Sequence, residues 1–110
     1  LLDSNILIAI SKNEDKLDYY LKKFDKIYIS IISYIEVLGY GFNVNNEKEI
    51  LIELINSIEI FNINFDIADI AIEVREKNKI KLPDAIIYAT AIYLNAELIT
   101  KNTDDFKNLA

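Results

Sequence analysis

The sequence contains no cysteine and no histidine among its 110 residues. Without cysteine, thiolate nucleophiles, cysteine-based zinc sites and iron–sulfur clusters are excluded. Without histidine, Ser-His-Asp triads, imidazole acid–base catalysis and most transition-metal sites are excluded as well. The chemistry of this chain must therefore come from carboxylates, amides, hydroxyls and lysines.

Proline and glycine are also scarce, with one proline and two glycines in the chain. So few breakers predict long elements joined by short polar turns. Long apolar runs are absent because Glu36, Asp84 and Asn95 interrupt the most hydrophobic stretches well before the ~20 residues that a membrane span needs. No signal peptide is visible, and the lack of cysteine fits a reducing compartment, so we expect a cytoplasmic protein without membrane contact.

The composition is that of one compact domain covering residues 1–110, since 52% of the residues are hydrophobic and 27% are charged. The net charge of −6 argues against broad electrostatic contact with nucleic acid. It leaves open an acidic site loaded with cations, because bound divalent ions reverse the local sign of charge.

Hydrophobic periodicity predicts helices that alternate with short strands, and hence a parallel sheet with helices on both faces. The apolar residues of Pro83–Leu94 surround that helix almost completely, so we expect it to be deeply buried. The predicted helices are Asn5–Ser11, Glu14–Phe24, Ser33–Phe42 (ending near Gly39 or Gly41), Glu47–Asn56 with Ile50, Leu51, Leu54 and Ile55 inward, Asp66–Lys77, Pro83–Leu94 and Thr103–Leu109. The predicted strands are Leu1–Asp3, Lys26–Ser30, Ile58–Ile63 and Glu97–Thr100.

Four acids occur where a predicted helix begins. Asp3 closes the first strand, Glu36 and Asp105 lie in the first turns after later strands, and Asp84 opens the apolar helix. Each acid has a purely structural explanation that the sequence leaves open. Asp3 could be an N-cap, Ser33 and Glu36 match a capping box, and Asp84 and Asp105 are acids favoured by the helix dipole.

The four acids taken together indicate a ligand site more strongly than any one of them does alone. Three of these acids should emerge at the same edge of a parallel sheet, where ligands of such folds bind. Converging carboxylates without histidine or arginine would repel one another and raise each other's pKa values. Mg²⁺ or Mn²⁺ relieves such repulsion, so we expect one or two of these ions, which would activate water for displacement at phosphorus.

Four motifs, in the order LLDSN, SYIEVLGYG, LPDAIIYATA and LITKNTDDF, resemble the PIN domain and, more narrowly, the VapC-type toxins of toxin–antitoxin pairs. The resemblance covers essentially the whole chain. It implies a three-layer α/β/α fold with a central parallel sheet and a metal-dependent endoribonuclease activity. It also implies that a few residues before the first motif and a last strand after the final helix are missing from this sequence.

Carried over residue by residue, the resemblance assigns Asp3, Glu36 and Asp84 as the principal catalytic, metal-binding acids. The fourth position is open between Asn102, which would offer only a neutral carbonyl oxygen, and Asp105, which supplies a carboxylate. The polar residues that match positions able to orient carboxylates or water are Ser4, Asn5, Thr100 and Asn102.

Lysines accompany these motifs. Lys77, Lys79 and Lys81 precede the third motif and Lys101 lies within the fourth. Contact with RNA phosphates, proposed for Lys79, Lys81 and Lys101, competes with the simpler interpretation that these side chains keep a loop soluble. The expected partners are an RNA substrate, a cognate antitoxin protein and a second copy of the chain.

Three other functions compete with the ribonuclease. An inactive interaction module with the same fold would be expected to lose one of Asp3, Glu36 or Asp84, and all three are present. A phospho-accepting receiver domain needs adjacent acids after its first strand, whereas Asp3 stands alone. A nuclease acting on DNA uses the same metal chemistry, and the sequence does not separate it from a ribonuclease.

Overall fold

The computed structural model describes residues 1–41, 45–107 and 109. The helices in this part of the chain are α1 (Ser4–Ser11), α2 (Leu17–Lys23), α3 (Ile31–Leu38), α4 (Asn45–Asn56), α5 (Phe65–Lys77), α6 (Leu82–Leu94) and α7 (Thr103–Phe106), and the strands are β1 (Tyr28–Ser30) and β2 (Glu59–Phe61). Helices and strands alternate much as predicted. The predicted positions Phe42 and Asn108 lie outside the described residues.

The sheet is parallel, with β1 paired to β2 in the register Ile29 to Ile60. On the other side of β1, the Leu2 amide donates to the Tyr28 carbonyl at 2.9 Å. Leu2 in turn forms an isolated parallel bridge with Ile99. The predicted strands at 1–3 and 97–100 are therefore reduced to one bridge, because only one residue of each has complete ladder bonding.

Alternating side chains place the sheet between two helical layers. Even and odd positions of the same extended segment face opposite sides. The face that packs with α1, α2 and α4 carries Leu2, Ile27, Ile29, Ile58, Ile60 and Ile99. The face that packs with α5 and α6 carries Leu1, Tyr28, Phe61 and Leu98. These two faces give the three-layer α/β/α architecture that the sequence predicted.

Two of the helix starts lie at the edge of the sheet and are set by side-chain caps. The Asp3 carboxylate accepts from the Ser4 amide and caps α1. The Ser30 hydroxyl accepts from the Ile32 amide at 3.1 Å and caps α3. The predicted capping box at Ser33 and Glu36 is wrong, because α3 begins two residues before Ser33 and buries it.

Three other expectations about helices are corrected. Helix α2 begins at Leu17 rather than Glu14, because Asp15 accepts from the Lys16 amide and ends the preceding turn. In α4, Ile50 is 41% exposed, although the other three predicted residues are buried. The expected deep burial of α6 holds from Asp84 to Ala91, where every residue is buried or half-buried, and fails at the helix ends, where Leu82, Ile92 and Tyr93 are each at least 41% exposed. Across the described ranges, no helix is long and apolar enough to cross a membrane.

Candidate nuclease site

Asp3 lies at the centre of the candidate site and is only 3% exposed. Its Oδ1 accepts a 2.8 Å hydrogen bond from the Ser4 amide, and its Oδ2 accepts a 2.8 Å hydrogen bond from the Thr100 hydroxyl. The Ser4 hydroxyl also lies 3.4 Å from Oδ1. The carboxylate is therefore fixed by donors on both oxygens. The N-cap interpretation of Asp3 is confirmed, and it is compatible with a place for Asp3 in the candidate site.

Thr100 joins this carboxylate to the segment that follows it. The Thr100 Oγ1 accepts from the Asn5 side-chain amide at 3.3 Å and from the Asn102 backbone amide at 3.0 Å. Asn5 completes the connection, because its Oδ1 accepts from the Lys101 amide at 3.1 Å. With both lone pairs of its hydroxyl occupied, Thr100 directs its proton to Asp3.

Glu36 is the sixth residue of α3, so it lies in the second turn rather than the first. Partial burial raises the pKa of its carboxyl above the ordinary value. The Ser4 hydroxyl lowers that pKa through a hydrogen bond, while the charges of Asp3 and Asp84 raise it further. With the capping role removed, Glu36 has no structural function at the helix start, and its charge faces two other acids.

Asp84 lies in the first turn of α6, behind Pro83. Burial raises the pKa of its carboxyl, the charges of Asp3 and Asp105 raise it further, and the Lys81 ammonium lowers it. Asp84 therefore connects two groups of acids electrostatically, one around Asp3 and one on α7.

Helix α7 is held against α6 by stacked rings. The Phe106 and Tyr88 rings lie 6.2 Å apart between centroids with an interplanar angle of 23°. This contact places Asp105, the third residue of α7, across from Asp84. A cleft of about 400 Å³ opens between them, lined by Asn78, Lys79, Ile80, Lys81, Asp84, Asp104, Asp105 and Leu109.

The predicted lysines separate into two groups. Lys79 and Lys81 line the cleft beside Asp84. Lys77 does not line it, and its ammonium instead pairs with Glu73 on the surface of α5 at 2.9 Å. Lys101 is likewise absent from the cleft lining, although its backbone amide takes part in the Asn5 network.

Sequence reasoning missed three residues that line cavities at the site. Asp104 and Asn78 line the cleft itself, and Arg75 lines an adjoining cavity of about 500 Å³. Arg75 could have been found because it extends the run of basic residues back into the last turn of α5. Asp104 pairs with Lys107 at 3.0 Å, which leaves Asp105 as the unpaired acid of α7.

The donor chemistry at this site fits a hard divalent cation. Asp3, Glu36, Asp84 and Asp105 offer only oxygen ligands, and neither described ion pair involves any of them. Within the described ranges, no three acidic side chains converge closely enough to form a ready-made metal site. The fit of a divalent cation to this site therefore rests on the charge and the type of the ligands. A bound Mg²⁺ or Mn²⁺ would relieve the mutual repulsion of the four carboxylates.

A family model and a solved structure each match nearly the whole chain. A family model described as the PIN domain matches residues 1–110. A solved toxin–antitoxin complex from Klebsiella pneumoniae contains a chain that is 35% identical, with a TM-score of 0.82 over 97% of this chain and 89% of that one. No curated protein sequence gives a match.

Two more distant structures share the fold. VapBC2 from Rickettsia felis, bound to a DNA fragment from its promoter, has a TM-score of 0.82 at 22% identity and covers 98% of this chain and 90% of that one. FitAcB from Neisseria gonorrhoeae has a TM-score of 0.71 at 22% identity and covers 96% and 89%. The whole-chain match and the relative at 35% identity establish that this chain belongs to the PIN domain family, a family of nucleases.

Proposed function

We propose that this chain is a metal-dependent endoribonuclease that hydrolyses RNA phosphodiester bonds as the toxin of a cytoplasmic toxin–antitoxin pair. Membership of the PIN domain family and the 35% identity to a chain of a toxin–antitoxin complex support the class of activity. The observation that carries the proposal is the buried Asp3 carboxylate at the edge of the sheet, which hydrogen bonds hold on both oxygens and whose charge reaches the carboxyls of Glu36 and Asp84.

The residues have distinct roles in this proposal. Asp3, Glu36, Asp84 and Asp105 would hold one or two Mg²⁺ or Mn²⁺ ions. When bound, such an ion activates water and stabilises the charge that develops on phosphate oxygens.

The remaining polar residues act on the position of the carboxylates. Thr100 and the Ser4 amide fix the two oxygens of Asp3, and Asn5 holds Thr100 in place. Asp105, rather than Asn102, is assigned as the fourth acid because its charge acts on Asp84 across the cleft.

Incubation of the protein with a panel of tRNA, rRNA and mRNA, followed by mapping of product ends, tests this function. We expect internal cleavage with Mg²⁺ or Mn²⁺ and none with EDTA. Single-stranded DNA of matched sequence serves as the comparison substrate. Cleavage of DNA at an equal or higher rate would contradict the ribonuclease assignment, and no cleavage of any substrate would support an inactive interaction module.

The toxin proposal requires an antitoxin that inhibits this site. The excess of acidic charge at Asp3, Glu36, Asp84 and Asp105 suits an inhibitory segment carrying Arg or Lys, which would compete with metal for the carboxylates. Co-purification with the product of the neighbouring gene, followed by cross-linking, would test this. A partner that cross-links far from Asp3 and Asp84 would contradict it.

A second copy of the chain is also part of the proposal. The outer face of α5 exposes Phe65 to 89% and Ile72 to 56%, and Ile63 before the helix is 39% exposed. Apolar area of this kind is a common feature of protein interfaces. Sedimentation of wild type and Phe65→Lys should show a dimer for the former and a monomer for the latter. A monomeric wild type would contradict this part.

A further inference from the structure

Asn5 contacts the segment 100–102 with both polar atoms of its side-chain amide. Its Nδ2 donates to the Thr100 hydroxyl oxygen at 3.3 Å, and its Oδ1 accepts from the Lys101 backbone amide at 3.1 Å. Asn5 is the second residue of α1 and is half-buried, whereas Lys101 is exposed. Two hydrogen bonds to adjacent residues restrain both the position and the rotation of this segment relative to α1.

The orientation of the Asn5 amide determines where the Thr100 proton goes. Thr100 Oγ1 accepts from Asn5 and from the Asn102 amide, so its one proton is left for Asp3 Oδ2 at 2.8 Å. If the Asn5 amide were turned over, its oxygen would compete with Asp3 for that proton. Its NH₂ group would then meet the Lys101 N–H, donor against donor. The donors and acceptors of this network therefore agree in one arrangement only.

The same segment leads into α7, which has little stability of its own. Helix α7 contains four residues, and the Asn102 side chain at its N-cap forms no capping hydrogen bond. So short a helix is not stable by itself in water, and contacts at its ends decide where it lies. Phe106 stacks on Tyr88 at one end, and Asn5 holds the segment before the other end. Asp105 lies between these two anchors.

We propose that Asn5 is a positioning residue for the candidate metal site. It acts through residues 100–102. Their arrangement directs the Thr100 hydroxyl to Asp3 and, towards the end of the chain, sets where Asp105 lies. The inference rests on the proposed function, because that function gives these two acids their role as metal ligands.

Hydrogen exchange of backbone amides in EDTA, measured by NMR, tests this role without metal and without cleavage. Asn5→Ala removes both contacts, so we expect faster exchange at Lys101 and Asn102. Exchange at Asp105 should also be faster, because its amide donates to the Asn102 carbonyl at 3.1 Å and reports on α7. Alanine is a better helix former than asparagine, so α1 itself should not be weakened.

A second variant separates the two contacts. Asn5→Asp keeps an acceptor for the Lys101 amide and removes the donor to Thr100. We therefore expect the Lys101 amide to stay protected in Asn5→Asp and to lose its protection in Asn5→Ala. Equal exchange at Lys101 in the two variants would contradict the contact through Oδ1.

Titration calorimetry with Mn²⁺ measures the consequence for the site. We expect Asn5→Ala to weaken Mn²⁺ binding at least about 10-fold, the usual effect of losing a group that orients a metal ligand. Asn64→Ala is the matched control, because Asn64 also accepts from a backbone amide, that of Ile67, and caps α5. It should lose stability and keep wild-type Mn²⁺ affinity and wild-type exchange at Lys101.

Three results would overturn the inference: wild-type exchange at Lys101 and Asp105 in Asn5→Ala, wild-type Mn²⁺ affinity in Asn5→Ala, or an equal loss of affinity in Asn64→Ala. Failure of the proposed function has a different signature. Wild type that neither binds Mn²⁺ nor cleaves RNA would contradict the nuclease. Faster exchange in Asn5→Ala would then support the positioning of α7 alone.

Discussion

The Thr100 hydroxyl donates to Asp3 Oδ2 across 97 positions of sequence at a distance of 2.8 Å. Asp3 is almost fully buried, so this bond replaces water that the carboxylate has lost. The bond also connects the N-cap of α1 to the segment that carries Asn102 and Asp105. Stability and the arrangement of the acids therefore depend on one hydroxyl.

Replacing Thr100 by valine keeps the shape of the side chain and removes the donor. We expect Thr100→Val to lower the free energy of unfolding by about 1.5–3 kcal/mol, the usual value for a hydrogen bond to a charged group. Thr100→Ser, which keeps the hydroxyl, should lie much closer to wild type. Chemical denaturation of the three proteins in EDTA measures this, and equal losses for both variants would show that packing rather than the bond is responsible.

Asp84→Asn should lower the cleavage rate more than about 100-fold, because loss of a direct ligand exceeds the usual effect of a residue that only orients one. The same change removes one of several repelling charges. We therefore expect an unchanged or higher melting temperature in EDTA. If Asp84 served only the helix dipole, the variant would be slightly destabilised and fully active.

The matched control for Asp84→Asn is Asp66→Asn. Asp66 is also an acid in the first turn of a helix, and it is exposed on α5. Asp104 is unsuitable because it lines the cleft. Wild-type cleavage by Asp84→Asn, or an equal loss in Asp66→Asn, would contradict the assignment of Asp84.

Divalent metal should stabilise the folded chain by binding to it alone. At a free concentration 100-fold above Kd, such binding adds about 2.7 kcal/mol. For a domain of this size, that corresponds to a rise of roughly 10 °C in melting temperature. Calorimetry with Mn²⁺ and with EDTA measures the shift, which should shrink in Asp84→Asn. Identical melting of wild type under both conditions would exclude a metal site.

Ser33 and Ser30 should respond to alanine with opposite signs. The Ser33 hydroxyl is buried without a hydrogen-bond partner among the described residues, which costs free energy. We expect Ser33→Ala to raise the free energy of unfolding by about 1 kcal/mol. Ser30→Ala removes the cap of α3 and should lower it by about 1 kcal/mol. A loss in Ser33→Ala would show that its hydroxyl has a partner such as water.

Tyr20 should make the fold sensitive to alkaline pH. Burial raises the pKa of its hydroxyl to about 12, and the hydrogen bond and charge of Asp15 add to the shift. Because the unfolded chain releases this proton near pH 10, stability is fully present below pH 10.

That contribution is lost as the pH rises from about 10 to about 12. Urea unfolding at several pH values should show this loss in wild type and a smaller one in Tyr20→Phe. Tyr93→Phe, at an exposed tyrosine that takes no part in this shift, is the control and should follow wild type. Equal pH dependence in all three proteins would contradict the role of Tyr20.

Much of the architecture could be predicted because parallel strands and helices leave distinct periodicities. Tyr28 and Ile29 face opposite helical layers, as strand alternation requires. The cap of α3 could not be predicted because Ile31 and Ile32 favour a continued strand and Ser33 to Glu36 imitate a capping box. The sequence shows both candidate serines, and the folded structure buries both of them and uses only Ser30 as the cap.

Only part of the grouping of the acids could be predicted from the sequence. Asp3 and Glu36 follow neighbouring parallel segments, so topology alone brings them to one edge of the sheet. The proximity of Asp105 to Asp84 depends on the stacking of Phe106 on Tyr88, which no local pattern indicates. The cavity beside Arg75 was equally hidden, because the sequence does not show which cavity this side chain lines.

The 97-position span between Asp3 and Thr100 also affects the order in which the parts of the candidate site form during synthesis and folding. Proteins synthesised from the N-terminus expose their early residues first, and contacts distant in sequence form late. Asp3, Glu36 and Asp84 leave the ribosome before Thr100 is available to fix the first of them. A nascent chain thus carries its acids without their final arrangement, and we expect catalytic competence to arise only in the last stage of folding. The nuclease proposed above would therefore acquire its site only after the segment around Thr100 has been synthesised.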